Sequence, residues 1–298
     1  MKIAALDLGS NTFLCLICDV DHNGIQKVYS DDVEIVRLGE GLLKNKKFQA
    51  GALERAQKCL TSFKKSIDLH KPEKVLAMAT SAARDAENKE ELFNICKNLN
   101  IPLEIIAGEK EAAITYFGAT SAHKDLKKRL VIDIGGGSTE FIFGETSKIS
   151  FAESYDIGCV RLTEKFITHQ PTPAEQIENC RNYINNYLKQ LPMDHVDEVL
   201  AVAGTPTTLA AVELGGFDVK KIDGYEMTLQ TLENWLIKLQ PLSVQQKIEL
   251  GFPKGRADVI IVGVITLIES LKKMNVSKII ISTRGVRYGI AIEVFNRT

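Results

Sequence analysis

Leu130-Val131-Ile132-Asp133-Ile134-Gly135-Gly136-Gly137-Ser138-Thr139-Glu140 runs from an apolar strand into three glycines and out into a second strand over 139–144. The head of the chain reads the same way, with strands over 3–8 and 12–20 around the tight turn Gly9-Ser10-Asn11. Leu6-Asp7-Leu8-Gly9-Ser10-Asn11 and Ile132-Asp133-Ile134-Gly135-Gly136-Gly137 each place an Asp, an apolar residue and a Gly at a strand–turn–strand junction. Two halves with one opening imply a duplicated fold with a cleft between the copies.

Outward from these hairpins, strand and helix patterns alternate, as in an α/β protein. The first half continues as strand over 25–38. Leu53, Ala56, Leu60, Phe63 and Ile67 then recur at three- and four-residue steps, the mark of an amphipathic helix. A strand over 74–79, a helix over 89–98, a strand over 103–106 and a helix over 110–119 follow. In the second half Ile177, Cys180, Ile184, Leu188 and Leu191 mark another amphipathic helix. A strand over 199–202 and a helix over 206–214 come next. A helix over 256–273 is apolar nearly all round and so predicted to be buried. A strand over 278–281 and a terminal helix from about Val286 complete the chain. The length of 298 residues suits two domains. The reading divides it into 1–124 and 125–298, near the basic stretch 123–129, with the last helix able to pack back on the first domain.

Hydrophobic residues make up 45% and charged residues 25%, as in ordinary globular chains. The most apolar run, 259–271, contains Glu269 and is too short to span a bilayer. The N-terminus meets Asp7 too early for a secretory leader, which places the protein in the cytoplasm. A net charge of -1 gives no global pull toward nucleic acid or membrane. A polyanionic ligand would need a local basic lining or a metal. Two basic clusters stand out, Lys124-Lys127-Lys128-Arg129 and Lys44-Lys46-Lys47, and a charge run of either kind reads first as a solvated surface. Cys15 and Cys18 form a C-x-x-C inside a strand, where an odd offset sends the two thiols to opposite faces. Zinc or dithiol chemistry is therefore not expected.

In Gly135-Gly136-Gly137-Ser138-Thr139-Glu140 the glycines let a ligand approach bare backbone, and successive N–H groups form an anion-binding nest. Ser138 and Thr139 add hydroxyl donors. Asp133 and Glu140 flank the turn, and carboxylates beside phosphate oxygens call for a hard divalent cation. Asp7, Ser10 and Asn11 repeat this chemistry in the first hairpin. Neither turn has Walker A spacing, and no G-x-G-x-x-G occurs. Arg84, in Thr80-Ser81-Ala82-Ala83-Arg84, can fork onto a phosphate or pair with Asp85 or Glu87. Gly204-Thr205-Pro206 joins strand to helix, with Thr205 suited to the N-cap and Pro206 to the first helical position. That N-terminus can hold an anion or simply be well capped. Glu109 and Glu111 open a helix, where the dipole favours their ionised forms. One of them can serve as a general base.

Together these residues resemble the exopolyphosphatase/guanosine pentaphosphate phosphatase family, within the larger group of actin, Hsp70 and sugar kinases. The matching blocks are Asp7-Leu8-Gly9-Ser10-Asn11, Thr80-Ser81-Ala82-Ala83-Arg84, Gly108 with Glu111-Ala112, and 133–140. Gly158-Cys159-Val160, Gly204-Thr205, Arg256-Ala257-Asp258 and Arg284-Gly285-Val286-Arg287 match as well. The resemblance implies two ribonuclease H-like domains with an interdomain cleft. It implies that Glu111, not Glu109, is the catalytic base and that Arg84 binds phosphate. Asp133 and Glu140 would act at a magnesium or manganese ion, with Asp7 across the cleft. Ser10, Asn11, Gly135, Gly136, Gly137, Ser138, Thr139, Gly204 and Thr205 would hold phosphate. The family often has Arg where this chain has Ala113, so one substrate contact is expected to be missing. Long members carry a further helical C-terminal domain, which this sequence is expected to lack.

The implied reaction is release of terminal orthophosphate from inorganic polyphosphate by water that Glu111 activates. Hydrolysis of the 5′-terminal phosphate of guanosine pentaphosphate is the alternative. A sugar or acid kinase of the same fold would need a catalytic Asp beside an acceptor hydroxyl. A non-hydrolysing alarmone or polyphosphate sensor would not need the intact set Glu111, Asp133 and Glu140. No nucleic acid or membrane partner is implied, and a homodimer is compatible with the reading.

Overall fold

The computed structural model describes residues 1–123 and 125–298. Lys124, a member of one basic cluster, lies outside the described residues. The chain separates into two compact units, Met1–Lys124 with Arg284–Thr298, and Asp125–Thr283.

The strands are β1 (Lys2–Leu8), β2 (Thr12–Asp21), β3 (Gly24–Ile35), β4 (Lys74–Ala79), β5 (Leu103–Ile105), β6 (Lys128–Ile134), β7 (Thr139–Glu145), β8 (Lys148–Tyr155), β9 (Glu198–Val202), β10 (Glu226–Thr228) and β11 (Lys278–Ile281). The first unit has the sheet order β3-β2-β1-β4-β5 and the second β10-β11-β9-β6-β7-β8. In the first, β1, β2 and β3 are antiparallel neighbours while β4 and β5 run parallel to β1. The second repeats this with β6, β7, β8, β9 and β11, and adds β10 as an antiparallel edge. Both are mixed ribonuclease H-like sheets in an α/β fold. The hairpins match in detail: Leu8 faces Phe13 and Ile134 faces Thr139. Gly9 N–H donates to Thr12 O at 3.1 Å, and Gly135 N–H to Ser138 O at 3.0 Å.

Alternation along β1 and β2 splits the first unit's core. Ala4, Leu6, Leu8, Phe13, Cys15 and Ile17 pack with Leu60 and Phe63 of the helix Ala50–His70. Ile3, Ala5, Leu16 and Cys18 pack on the other face with Ile114 of Gly108–Thr120 and Ile290 of Val286–Asn296. Cys15 and Cys18 thus occupy separate cores. Burial pushes the Cys18, Cys59, Cys96 and Cys180 thiols up to about 12, so they stay protonated at neutral pH. Among the described residues no group of three or more His, Cys, Asp or Glu side chains is placed to hold a metal ion. No helix among them is long and apolar enough to cross a membrane.

Several boundaries differ from the sequence reading. β3 ends at Ile35 because Val36 N–H and Arg37 N–H both turn onto Asn11 O, and Arg37 takes φ 55°. The buried helix begins at Ile260, not at 256, because Arg256 and Ala257 first turn back onto Pro253 O. The helix expected from 206 begins at Gly204, so its N-cap is Ala203 rather than Thr205. Pro206 then sits two residues further in, still where a missing N–H costs no intrahelical bond.

Candidate active site

In the first unit the turn after β1 is held from three sides. Ser10 O accepts from Gly39 N–H at 2.8 Å, and Asn11 O accepts from Val36 and Arg37. Ser10 Oγ accepts from Ala82 N–H at 3.1 Å, which docks the short helix Ser81–Asp85 on the turn. That helix carries Arg84. Its Nη1 donates to Glu111 Oε2 at 2.7 Å and to Ile106 O at 2.9 Å. Asp85 and Glu87, the partners considered from sequence, are not the ones it takes. Ser10, Arg84 and Glu111 thereby come together, linked through residues 80–84, and Thr80 also hydrogen-bonds the Glu111 carboxylate. Asp7 lies on the sheet face of Ile3 and Ala5, the face covered by the helix that bears Glu111.

Glu111 is buried, whereas Glu109, two residues earlier on the same helix, is exposed. A two-residue step turns about 200° around the axis, so the two acids face different surroundings. Burial raises the Glu111 pKa above its ordinary value, against the lowering pull of Arg84 and Thr80. The sequence expectation that the helix dipole favours the carboxylate is corrected here: desolvation outweighs the favourable charges.

In the second unit the glycine turn is fixed through its carbonyls. Cys159 N–H donates to Gly135 O at 2.9 Å, Val160 N–H to Gly136 O at 2.9 Å, and Arg161 Nε to Gly137 O at 2.7 Å. A Cβ on Gly158 would stand 2.4 Å from Gly136 O, so only glycine permits this approach. Among the described residues no protein acceptor takes the N–H groups of Gly136, Gly137 or Ser138. The turn therefore offers donors while its carbonyls are spent, as an anion nest requires. Thr139 is fully buried and its hydroxyl donates to Ile157 O at 3.0 Å, which ties it to the scaffold.

Asp133 faces Glu140 across β6 and β7, and Glu140 faces Ser154 across β7 and β8. Facing residues share one side of a sheet. This row lies on the side away from Leu130, Ile132, Ile134, Phe141 and Phe143, which form the unit's main core. Both carboxylates are buried, and Ser154 Oγ donates to Glu140 Oε1 at 2.6 Å, fixing that side chain. Two like charges directly opposite are unfavourable, and hard oxygen donors in such a pair suit magnesium-type ions. Those ions take one or two carboxylates and complete their shell with substrate phosphates and water. The residues present fit that group.

Gly204 is brought to the same locality through Arg256. A Cβ on Gly204 would lie 1.2 Å from Arg256 Nη1, so the guanidinium rests on bare backbone. Cys159, whose thiol burial pushes up to about 11, feels the Arg256 charge. Ala203, before the helix, holds φ 68° and ψ -159°, a strained conformation for a residue with a Cβ. Thr80, Gly158, Arg161 and Arg256 escape a motif-by-motif reading. Three of the four stand inside quoted blocks and Arg161 directly follows one, but their contacts join residues distant in sequence.

A ribonuclease H-like pair of sheets, each with an Asp-bearing hairpin whose turn is fixed by the neighbouring chain, defines a phosphate-handling α/β protein. The chain belongs to the Ppx/GppA phosphatase family, whose model matches residues 16–298. It is 34% identical to a bifunctional 3-dehydroquinate synthase/phosphatase of Fusobacterium nucleatum, over 97% of this chain and 46% of that protein. It thus spans about half of that relative. It is 29% identical to exopolyphosphatase 2 of Mycobacterium tuberculosis, over 98% of each chain. The crystal structure of an exopolyphosphatase from Cytophaga hutchinsonii superposes with a TM-score of 0.91 at 26% identity, covering 100% of this chain and 99% of that one.

Proposed function

We propose that this protein is an exopolyphosphatase, a phosphoanhydride hydrolase that removes terminal orthophosphate from inorganic polyphosphate. The observation that carries the reading is the Arg84–Glu111 pair, a buried carboxylate of raised pKa held 2.7 Å from a guanidinium docked on a phosphate turn. Glu111 accepts a proton from water as that water attacks the terminal phosphorus. The new P–O bond forms as the bridging P–O bond breaks, and the shortened chain leaves with the bond's electron pair. A raised pKa makes the carboxylate a stronger proton acceptor, which favours this role. Arg84 and the outward N–H groups of Gly136, Gly137 and Ser138 stabilise charge on the transferring group. Ser10, Asn11 and the Gly204-Thr205 helix start complete the phosphate contacts, and Thr139 keeps the second turn in shape. Asp133 and Glu140, with Asp7, would hold a divalent cation, magnesium or manganese, which when bound neutralises phosphate oxygens. We place the protein in the cytoplasm.

The test is phosphate release from polyphosphates of several lengths and from guanosine pentaphosphate, with and without magnesium or manganese. Metal-dependent release from polyphosphate is the expected result. Release from guanosine pentaphosphate alone would turn the assignment to the nucleotide phosphatase. Release from neither would overturn it.

A further inference from the structure

The sequence carries two basic clusters, and the structure treats them differently. In the cluster at the start of β6, Arg129 is buried and paired with Asp125 and Glu198, while Lys127 pairs with Glu198. The Arg129 charge is consumed inside the fold, Lys127 is exposed but paired, and Lys128 is exposed at the start of β6. Lys44, Lys46 and Lys47 are all exposed. Among the described residues neither Lys44 nor Lys46 has an acidic partner, and Lys47 meets only Glu87, at 4.0 Å, in an exposed pair. Exposed pairs at that distance hold little energy, so the loop stays positive. From Arg37 to Lys47 four basic residues stand against one acid, Glu40, which Arg55 engages at 2.8 Å.

The loop's position is built. At its start Gly39 N–H donates to Ser10 O at 2.8 Å, and a Cβ on Gly39 would lie 3.2 Å from that of Ser10. Leu42 and Phe48 are buried anchors on either side of the lysines. At its end Lys46 O accepts from Glu87 N–H at 2.9 Å, and Phe48 N–H donates to Asn88 Oδ1 at 2.8 Å. Glu87 and Asn88 follow directly on the helix that carries Arg84. One segment therefore leaves the first phosphate turn, presents three lysines to solvent and closes beside the Arg84 helix, all within the first unit.

We infer that the Lys44–Lys47 loop is a distal subsite for the phosphate groups of a polyphosphate chain lying beyond the one being cleaved. This rests on the exopolyphosphatase reading and adds a chain-length preference to it. Ammonium groups on long flexible stems are point charges without fixed directionality, which suits a flexible repeating anion. Between Gly39 and Lys47 there is no aromatic residue to stack on a base, so the loop offers nothing specific to a guanine nucleotide.

The test compares wild type with the triple variant Lys44→Gln, Lys46→Gln, Lys47→Gln. Exposed side chains can be neutralised with little effect on folding, and the melting temperature checks this. For long-chain polyphosphate, KM should rise about fivefold or more, and the salt dependence of binding should flatten by about two in the log–log slope, as counterion release implies. For tripolyphosphate, kcat and KM should stay within about twofold, since exposed charges beyond the reach of a short chain are screened. Direct binding of long polyphosphate, measured in a Glu111→Gln background with and without the lysine changes, provides the second readout. An unchanged KM and unchanged binding would overturn the subsite while leaving the hydrolase assignment intact. Weakened binding in the lysine variant, in a protein that releases no phosphate from polyphosphate, would uphold the subsite and overturn the assignment. Equal loss on tripolyphosphate and long chains would also overturn the subsite, because it would place the lysines at the terminal phosphate.

Discussion

Replacing Glu111 by Gln should move activity and stability in opposite directions. The amide keeps the shape and the contact with Thr80 but cannot take a proton from water. A general base contributes roughly 10²–10⁴-fold, so turnover should fall by that range, or about 2.7–5.5 kcal/mol of barrier. The stability argument starts from burial. Glu111 is 6% exposed, and desolvation is the largest influence on it, outweighing Arg84. The folded pKa is therefore raised, and the folded state prefers the protonated form. The stability this confers is present below the unfolded value, near 4.3, and is lost as pH rises through the folded one. Gln imitates the protonated form at every pH. The variant should thus melt like wild type near pH 4 and above it near pH 7.5, the gap opening as pH rises. Arg84 keeps its bond to Ile106 O and, at 24% exposure, can be solvated, so losing its ionic partner costs less than a buried orphan would. Thermal melts across pH, with phosphate-release kinetics on the same preparations, decide it. Turnover within tenfold of wild type would refute the base. A variant less stable than wild type at pH 7.5 would show that the ion pair outweighs the desolvation. Glu109→Gln, at an exposed position, should be nearly silent in both assays.

Three further outcomes follow from the same geometry. Arg84→Ala should raise KM and also move the acidic limb of kcat/KM to higher pH, because it removes a charge that lowers the Glu111 pKa; a raised KM with an unmoved limb would separate the two roles and refute the second. Asp133→Asn should raise the magnesium or manganese concentration needed for half-maximal activity, and excess chelator should abolish wild-type activity; full activity in chelator would refute metal dependence. Gly289→Ala should destabilise the protein by about 3 kcal/mol or more, because its Cβ would lie 1.9 Å from Ile114 O on the helix that bears Glu111; denaturant midpoints compared with Gly216→Ala, where nothing lies within 4 Å, measure it.

The hairpins were legible because both signals are local. Asp and Gly at a strand end, and apolar alternation on either side, need no tertiary information. The buried helix was legible for the same reason, since Ile260–Leu271 is apolar on nearly every face. What escaped depends on distant contacts. β8, Lys148–Tyr155, has Lys148, Ser150, Glu153 and Ser154 in four of its eight positions and loses its alternation at Phe151-Ala152, so pairing with β7 is what makes it a strand. The helix Cys159–Phe166 is short, and its start is set by the carbonyls of the glycine turn rather than by a capping side chain. The helix after β9 looked capped at Thr205, but packing of Arg256 against Gly204 moves the start upstream and strains Ala203. The partner of Arg84 was equally invisible, because Glu111 lies far along the chain while Asp85 and Glu87 lie next to it.

The duplication explains how the two hairpins come to have different roles. Their backbones agree in turn length and in the hydrogen bond that closes each turn. They differ opposite the Asp: Asp7 faces Leu14, whereas Asp133 faces Glu140, with Ser154 fixing the second acid. One carboxylate across from a leucine offers a cation a single ligand, and two across from each other offer it two. Cation affinity should therefore rest mainly on the second hairpin. Glu140→Leu, which gives the second hairpin the pairing of the first, is then a sharper test than removing Asp7. It should cost more metal affinity than Asp7→Asn, as read by the metal concentration for half-maximal activity and by direct titration of the ion. Equal losses in the two variants would mean that the hairpins have not diverged in this role, and the assignment of the cation chiefly to Asp133 and Glu140 would fail.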